Sequence, residues 1–261
     1  MKNYYGIWHW NSPGFININV KNGVYDVFTG KLLKHSSEFN FNYFLDVDFD
    51  SFAKCPKFEK FLYEFSNYDL ERLQTIRDML GYIFIIGEKN HFVFNLVGNG
   101  YRNGRSVLAY VLRSFFENNY SSGVMIQELK NKKGRYRLEK SLLNFVPGSP
   151  IEFVDKKSCE YISKIINHEQ IDNFNFPVQA SLVFCFDMKR PQYADTSSEF
   201  QDKLIFINCE FKLTRDNTNL SLRNELNEEK SGILNYMIGC SRELIANGCV
   251  IRTCKDQKEK K

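Results

Sequence analysis

Apolar residues fall at three- and four-residue spacing in one long stretch, Phe58, Phe61, Leu62 and Phe65, then Leu70, Leu73, Ile76 and Leu80. That period predicts two amphipathic helices. Ahead of them, residues 14–33 alternate apolar and polar positions around Asn22-Gly23 and Thr29-Gly30, the pattern of a β-meander. A looser, aromatic-rich segment runs on to about residue 53. The middle of the chain reads strand, glycine loop, helix: "HFVFNLV" (91–97), then glycines, then helical spacing over 105–120. Further strands are predicted at 141–146, 180–186 and 203–211, with a helix over 155–167 between the first two. A last helix over 226–248 carries Ile233, Leu234, Met237 and Ile238 on one face and is stopped by Asn247-Gly248. Strands alternating with helices predict an α/β nucleotide-binding core behind a small accessory region. The tail "KDQKEKK" is expected to be solvated and disordered.

Composition narrows this picture only slightly. In 261 residues, 43% hydrophobic and 25% charged describe an ordinary globular chain, and a net charge of +4 permits a nucleic-acid partner without arguing for one. Heavy use of Phe (24) and Tyr (14) with little Ala suggests an AT-rich coding sequence, as in a viral, plasmid or organellar genome. The seven cysteines, at 55, 159, 185, 209, 240, 249 and 254, are odd in number and form no C-x-x-C pair. Neither a disulfide framework nor a zinc site is therefore expected, and a reducing compartment is. The start has no signal-peptide run, and the most apolar window (79–87) is half the length a bilayer needs. A soluble protein, not secreted, is expected in the cytoplasm or in the soluble phase of an organelle or viral replication site.

The glycine loop "VGNGYRNGRS" (97–106) carries the candidate chemistry. A loop entering a helix N-terminus turns free backbone N–H groups and the helix dipole toward an anion. Gly98, Gly100, Asn103, Gly104, Arg105 and Ser106 are the candidate nucleotide-binding residues, with Ser106 where a magnesium-binding hydroxyl would stand. The common pattern G-x-x-x-x-G-K-[ST] is departed from twice: five residues lie between Gly98 and Gly104, and arginine replaces lysine. A guanidinium keeps the charge but spreads it over a wide planar fork, so it does not simply fill a lysine's slot. The loop reads either as a phosphate cradle or as an inherited glycine turn between strand and helix.

Several stretches in order resemble the helicase part of phage, plasmid and poxvirus-type primase-helicases, members of helicase superfamily 3. "VKNGVYDVFTGKLLKHS" (20–36) looks like the segment that precedes the motor, and "CPKFEKFL" with "LQTIRDMLGYIF" looks like its helical lead-in. "GNGYRNGRS" sits where the family has G-x-G-x-N-G-K-S. "ASLVFCFDMKRP" and "EFQDKLIFINCEF" fall where the family has its third motif and an arginine-bearing segment, and residues 228–244 look like its post-motor helix. The resemblance implies an AAA+-like P-loop ATPase core with a small N-terminal β-meander and helical lead-in. It divides the chain into an accessory region (1–85), a helicase-like domain (86–248) and a basic tail (249–261). It also implies ATP and magnesium, single-stranded DNA, and a hexameric ring or a place in a replication complex, while the primase domain that normally lies upstream and a winged-helix tail are expected to be missing.

At the catalytic positions the resemblance weakens. The family's second motif is a strand ending in an acid that holds magnesium, whereas "SLLNFVPGSP" has no carboxylate before Glu152 and Asp155, each of which reads equally well as surface. Where a polar sensor is usual stands Asp187, a carboxylate that repels phosphate unless metal or Arg190 compensates it. The neighbour-facing arginine is replaced by Asp202 and Lys203, so Lys203 or Arg190 is the candidate stand-in. The alternative is a non-hydrolysing pseudo-ATPase acting as a structural or interaction subunit. For nucleic acid, the densest basic cluster is Lys130, Lys132, Lys133, Arg135, Arg137 and Lys140 around Tyr136, either a phosphate-backbone site or a solvated helix edge. A pure single-strand binder built on that cluster is a third reading. Tyr4, Tyr5, Trp8 and Trp10 could stack on bases or pack.

Overall fold

A computed structural model describes residues 17–39, 41, 43, 45–85, 92–98, 102–116, 121–139, 141–174, 178–212 and 219–258. Tyr4, Tyr5, Trp8, Trp10, Gly100 and Lys140 lie outside them.

The chain opens with the expected meander, an antiparallel sheet of β1 (Asn17–Val20), β2 (Gly23–Asp26) and β3 (Leu32–Leu33) in sequential order. Its second turn is built by Asp26, whose carboxylate accepts from Phe28 N at 2.9 Å and Thr29 N at 3.1 Å, while Gly30 takes a φ of +70°. The Thr29-Gly30 signal thus falls in a turn held by an aspartate side chain. Two helices follow, α1 (Pro56–Phe65) and α2 (Leu70–Tyr82). Pro56 starts α1, where its missing N–H costs nothing, and Asp69 caps α2 by accepting from Arg72 N.

The rest is α/β: β4 (Val93–Val97), α3 (Arg105–Ser114), β5 (Ser121–Ser122), α4 (Lys132–Tyr136), β6 (Leu143–Val146), β7 (Phe153–Val154), α5 (Lys156–Ile166), β8 (Ser181–Phe186), β9 (Gln192–Tyr193), α6 (Ser198–Gln201), β10 (Leu204–Asn208), α7 (Leu222–Glu228) and α8 (Lys230–Ala246). Five strands form an all-parallel sheet in the order β10-β4-β8-β6-β5, with Val93–Val97 level with Leu182–Phe186 and Leu204–Asn208. Strands β7 and β9 make a separate short parallel pair. This is the α/β architecture with a P-loop-type core that the resemblance implied.

Both faces of the sheet are buried, as parallel sheets require. Phe94, Leu96, Val183, Cys185, Ile205 and Ile207 share a cluster with α1, α2, α3, α8 and the meander. Val93, Leu182, Phe184, Phe186, Leu204 and Phe206 share the other with α5. Glycines set how closely α8 approaches: a Cβ on Gly232 would lie 2.2 Å from Lys54 O, and one on Gly81 2.6 Å from the Cys240 carbonyl carbon. Among the described residues, no helix is long and apolar enough to cross a membrane.

Three expectations are revised. The helix over 105–120 ends at Ser114, and Phe116 bridges to Leu45 instead. The last helix is two, because its chain breaks at Glu229, whose carboxylate accepts from Lys57 N and Phe58 N, both at 3.0 Å, and so caps α1. The tail is not wholly solvated: Lys255–Lys258 form a 3₁₀ turn against the sheet. There Gln257 bonds the main chain of edge strand β10, accepting from Phe206 N at 2.9 Å and donating to Leu204 O at 2.7 Å. Asp256, 2% exposed, takes Arg72 Nε and Nη2 at 2.8 and 3.0 Å and Asn208 N at 2.9 Å. An edge strand's unpaired main chain is thus covered by the chain's own end.

Candidate functional site

The glycine loop leaves the carboxyl end of β4 and enters α3, at the end of the sheet where open α/β folds form ligand crevices. Gly104 begins α3 with φ +84°, and a Cβ there would lie 2.9 Å from the Phe65 ring and 3.3 Å from Phe61. Two independent constraints, left-handed backbone and close approach to α1, require glycine at this position. Ser106 is exposed on the first turn of α3.

Arg105 does not reach outward. It is 3% exposed and folds back across the strand ends, donating from Nε to Asn103 Oδ1 at 2.9 Å, from Nη1 to Phe186 O at 2.6 Å and from Nη2 to Asp187 Oδ1 at 2.9 Å. Its guanidinium lies over Gly98, where a Cβ would meet Arg105 Cζ at 3.2 Å and Asn103 Nδ2 at 2.3 Å. Asp187 closes β8, its N–H donating to Ser149 O at 3.1 Å. Gly148 makes room for the carboxylate, since a Cβ there would stand 3.0 Å from both oxygens. Three strand ends therefore meet around one ion pair: β4 with its loop, β6 with Gly148-Ser149, and β8 with Asp187. Beside it Ser149, 4% exposed, has a hydroxyl with no hydrogen-bond partner among the described residues.

The compensating cation for Asp187 is thus Arg105 and not Arg190. Arg190 stacks on Phe206, its Cζ 3.6 Å from the ring centroid, and donates to Asp256 O at 3.1 Å, which ties it to the C-terminal turn. Lys203 precedes β10 at the opposite end of the sheet, about 16 Å from the loop end at the usual strand rise, near Phe92. Glu152 is exposed and paired loosely with Lys189 at 3.6 Å, while its carbonyl accepts from Gln192 N. Asp155 caps α5, accepting from Lys157 N and Ser158 N at 3.1 Å, and pairs with Lys130 at 2.8 Å. Of the five candidate catalytic residues, Asp187 is the one bonded to Arg105 of the loop. A cleft of about 450 Å³ opens beside it, lined by Val97, Met188, Asn208, Cys209, Glu210 and Lys212.

The basic cluster is divided between roles. Arg135 is 5% exposed, pairs with Asp172 through Nε and Nη2 at 2.7 and 2.9 Å, bonds Leu129 O and lies 4.0 Å over the Tyr161 ring. It is a packing residue. Lys130 is paired with Asp155 and Arg137 with Glu128 at 3.2 Å. Lys132 and Lys133 are exposed next to Tyr136, which is 63% exposed.

The resemblance implies a magnesium nucleotide at this loop. Arg105, at the lysine position, is buried and its charge is met by Asp187; the loop's second cation, Arg102, is exposed, and Glu210 lines the cleft just past the end of β10. With Arg105 folded onto Asp187, the residue in the lysine's place does not fit a magnesium nucleotide held in the family's manner. Sequence reasoning missed the partners that make this so, Gly148, Ser149 and the Phe186 carbonyl. The one signal for them was "PGSP" (147–150), whose glycine between prolines marks backbone needed for a close approach.

Residues 16–67 match the family described as "D5 N terminal like". No curated protein sequence matches the chain. Among solved structures, the apo C-terminal region of NrS-1 superposes with a TM-score of 0.59 at 13% identity, covering 93% of this chain and 60% of that one. The A-form apo structure of the same region gives 0.57 at 15% identity, covering 73% and 47%. The JCV helicase aligns at 0.37 and 10% identity over 72% of this chain and 61% of that one, too loosely to carry an inference. The chain spans roughly half of the NrS-1 region it matches, and it shares the fold of that region.

Proposed function

We propose that this chain is a superfamily 3 helicase-like module of a viral, plasmid or mobile-element DNA replication protein, in which the glycine-loop site is structural and does not hydrolyse ATP. The match of the lead-in to "D5 N terminal like" and the shared fold with the NrS-1 region support the replication-helicase class. The observation that carries the loss of turnover is the Arg105–Asp187 pair, buried across the strand ends. Phosphoryl transfer needs a cation and a metal-holding acid directed at the transferred group. Here Arg105, in the lysine's place, and Asp187 satisfy each other. Such a module contributes through assembly, in a homo-oligomeric ring or as a subunit of a replication complex. Single-stranded DNA is its proposed ligand, with Lys132, Lys133 and Arg137 contacting phosphates and Tyr136 offering a ring for stacking.

The test is phosphate release from magnesium ATP by the full chain, with and without single-stranded DNA, next to DNA binding across a salt series. Release at background in both conditions, with DNA affinity that falls as salt rises, is expected. DNA-stimulated release would overturn the pseudo-ATPase reading, and salt-independent or absent DNA binding would remove the proposed ligand.

A further inference from the structure

Residues 250–258 lie in a groove between α2 and the edge strand β10, and the groove matches them charge for charge. Along α2 it presents Asp69, Arg72, Thr75 and Asp78, each three residues from the next and so neighbours on the helix surface. The segment runs antiparallel to the helix. Buried Asp78 takes the Arg252 guanidinium and accepts from Arg252 N at 2.7 Å. Thr75 Oγ1 donates to Arg252 O at 2.7 Å and accepts from Cys254 N at 3.1 Å. Arg72 pairs with Asp256 at 2.8 Å and Asp69 with Lys255 at 2.9 Å. On the opposite wall Gln257 makes two bonds to the main chain of β10, and Ile251 and Cys254 are buried apolar anchors. Bonds to the main chain of a sheet edge, with side-chain pockets beside it, are how folded domains hold peptides.

The connection into the groove is strained. Two consecutive residues after α8, Gly248 and Cys249, take left-handed φ of +77° and +59° to fold the segment back. Cysteine lacks glycine's freedom in that region, so the fold-back carries a strain that an extended connection would release. A Cβ on Gly248 would meet nothing within 4 Å, and Val250 is exposed, so the turn stands clear of the body.

We propose that the groove between α2 and β10 is a docking site for residues 250–258 of a second copy of this chain, with Gly248-Cys249 as the hinge, so that copies link by exchanging the segment. The occupant is the chain's own segment because the three charges and Thr75 along α2 already match it in order. The same contacts form within one copy or between two, which makes exchange a low-cost route to assembly. Strain at Cys249 burdens only the folded-back form and so tips the balance towards exchange. The inference rests on the homo-oligomeric reading above and deepens it by naming the surface that joins the copies.

The experiment is sedimentation of the full chain over a concentration series under reducing conditions, alone and with excess synthetic peptide of residues 250–258, next to Cys249→Gly. The natural protein is expected to associate as its concentration rises, and the peptide to return it to monomer. Cys249→Gly should need about fivefold more protein to associate, because glycine removes the left-handed strain. A second readout is fluorescence anisotropy of the labelled peptide on the full chain carrying Asp256→Ala and Gln257→Ala, whose own segment is loosened. That variant should bind the peptide at least tenfold more tightly than the natural protein, in which the tethered segment competes at high effective concentration. If urea unfolding shows that the variant has lost its fold, Arg252→Ala takes its place. Association that the peptide leaves intact overturns the exchange while assembly through another surface stands. Equal association in Cys249→Gly, or equal peptide affinity in the natural protein and the folded variant, overturns it too. A chain that stays monomeric throughout sinks the homo-oligomeric reading together with the exchange.

Discussion

Replacing Asp256 by alanine should cost this protein about 3 kcal/mol of folding stability. Asp256 and Arg72 are each 2% exposed, joined by two hydrogen bonds, and Asp256 also accepts from Asn208 N on the edge strand. Removing one partner of a buried pair leaves an uncompensated charge and costs about 3–5 kcal/mol. Glu210 still reaches Arg72 at 3.0 Å and Ser66 O accepts from it at 3.1 Å, which sets the expectation at the lower end. With an unfolding entropy of about 2.1 cal/mol/K per residue, roughly 0.55 kcal/mol/K for this chain, the melting temperature should fall by about 5 °C.

The pH dependence follows from the direction of the shift. Burial pushes the Asp256 carboxyl up, but the Arg72 guanidinium and the Asn208 N–H outweigh it, so its pKa lies below the usual carboxylate value. A carboxylate depressed in the folded state adds stability that is fully present above its unfolded pKa, about 3.9, and is lost as pH falls through the lower folded value. The difference between the natural protein and Asp256→Ala should therefore be constant near neutrality and shrink below about pH 4. Urea unfolding followed by far-UV circular dichroism measures both. A loss under about 1 kcal/mol at pH 7 would refute the claim that the chain's end is part of the folded core, since that is what a surface pair gives.

Three further outcomes follow from the same geometry. Gly104→Ala should destabilise by about 2–4 kcal/mol, from its left-handed backbone and the 2.9 Å approach to Phe65, read in the same denaturation assay. Arg135→Ala should lose about 3 kcal/mol of stability, whereas Lys132→Gln with Lys133→Gln should stay within about 1 kcal/mol and lower the salt slope of single-stranded DNA binding by about 1.4. A thiol reagent at pH 8 should label Cys249 first, because it is half-buried while the other six cysteines are buried. Burial pushes Cys55, Cys209 and Cys240 each up to about 12; mass spectrometry showing any of these three labelled ahead of Cys249 in folded protein would contradict this.

The local elements were legible because their causes are local. The apolar period of α1 and α2, the Thr29-Gly30 turn, the continuous apolar runs of β4, β8 and β10 and the Asn247-Gly248 stop all lie within one stretch of chain each. The loop's place between β4 and α3 was legible for the same reason. Where the sequence misled, the deciding contact joined residues far apart. Glu229 breaks the last helix because it caps α1, 171 and 172 positions away, and Gln257 and Asp256 order the tail because β10 and Arg72 offer them main chain and charge. Arg105 is the sharpest case: its sequence neighbours describe a phosphate loop, and only the parallel sheet brings Asp187, 82 positions on, within 2.9 Å. A residue's type and its near neighbours determine which charge it carries and what element it starts. Which opposite charge it meets is decided by the order of strands, because that order alone sets which chain ends share a corner of the sheet.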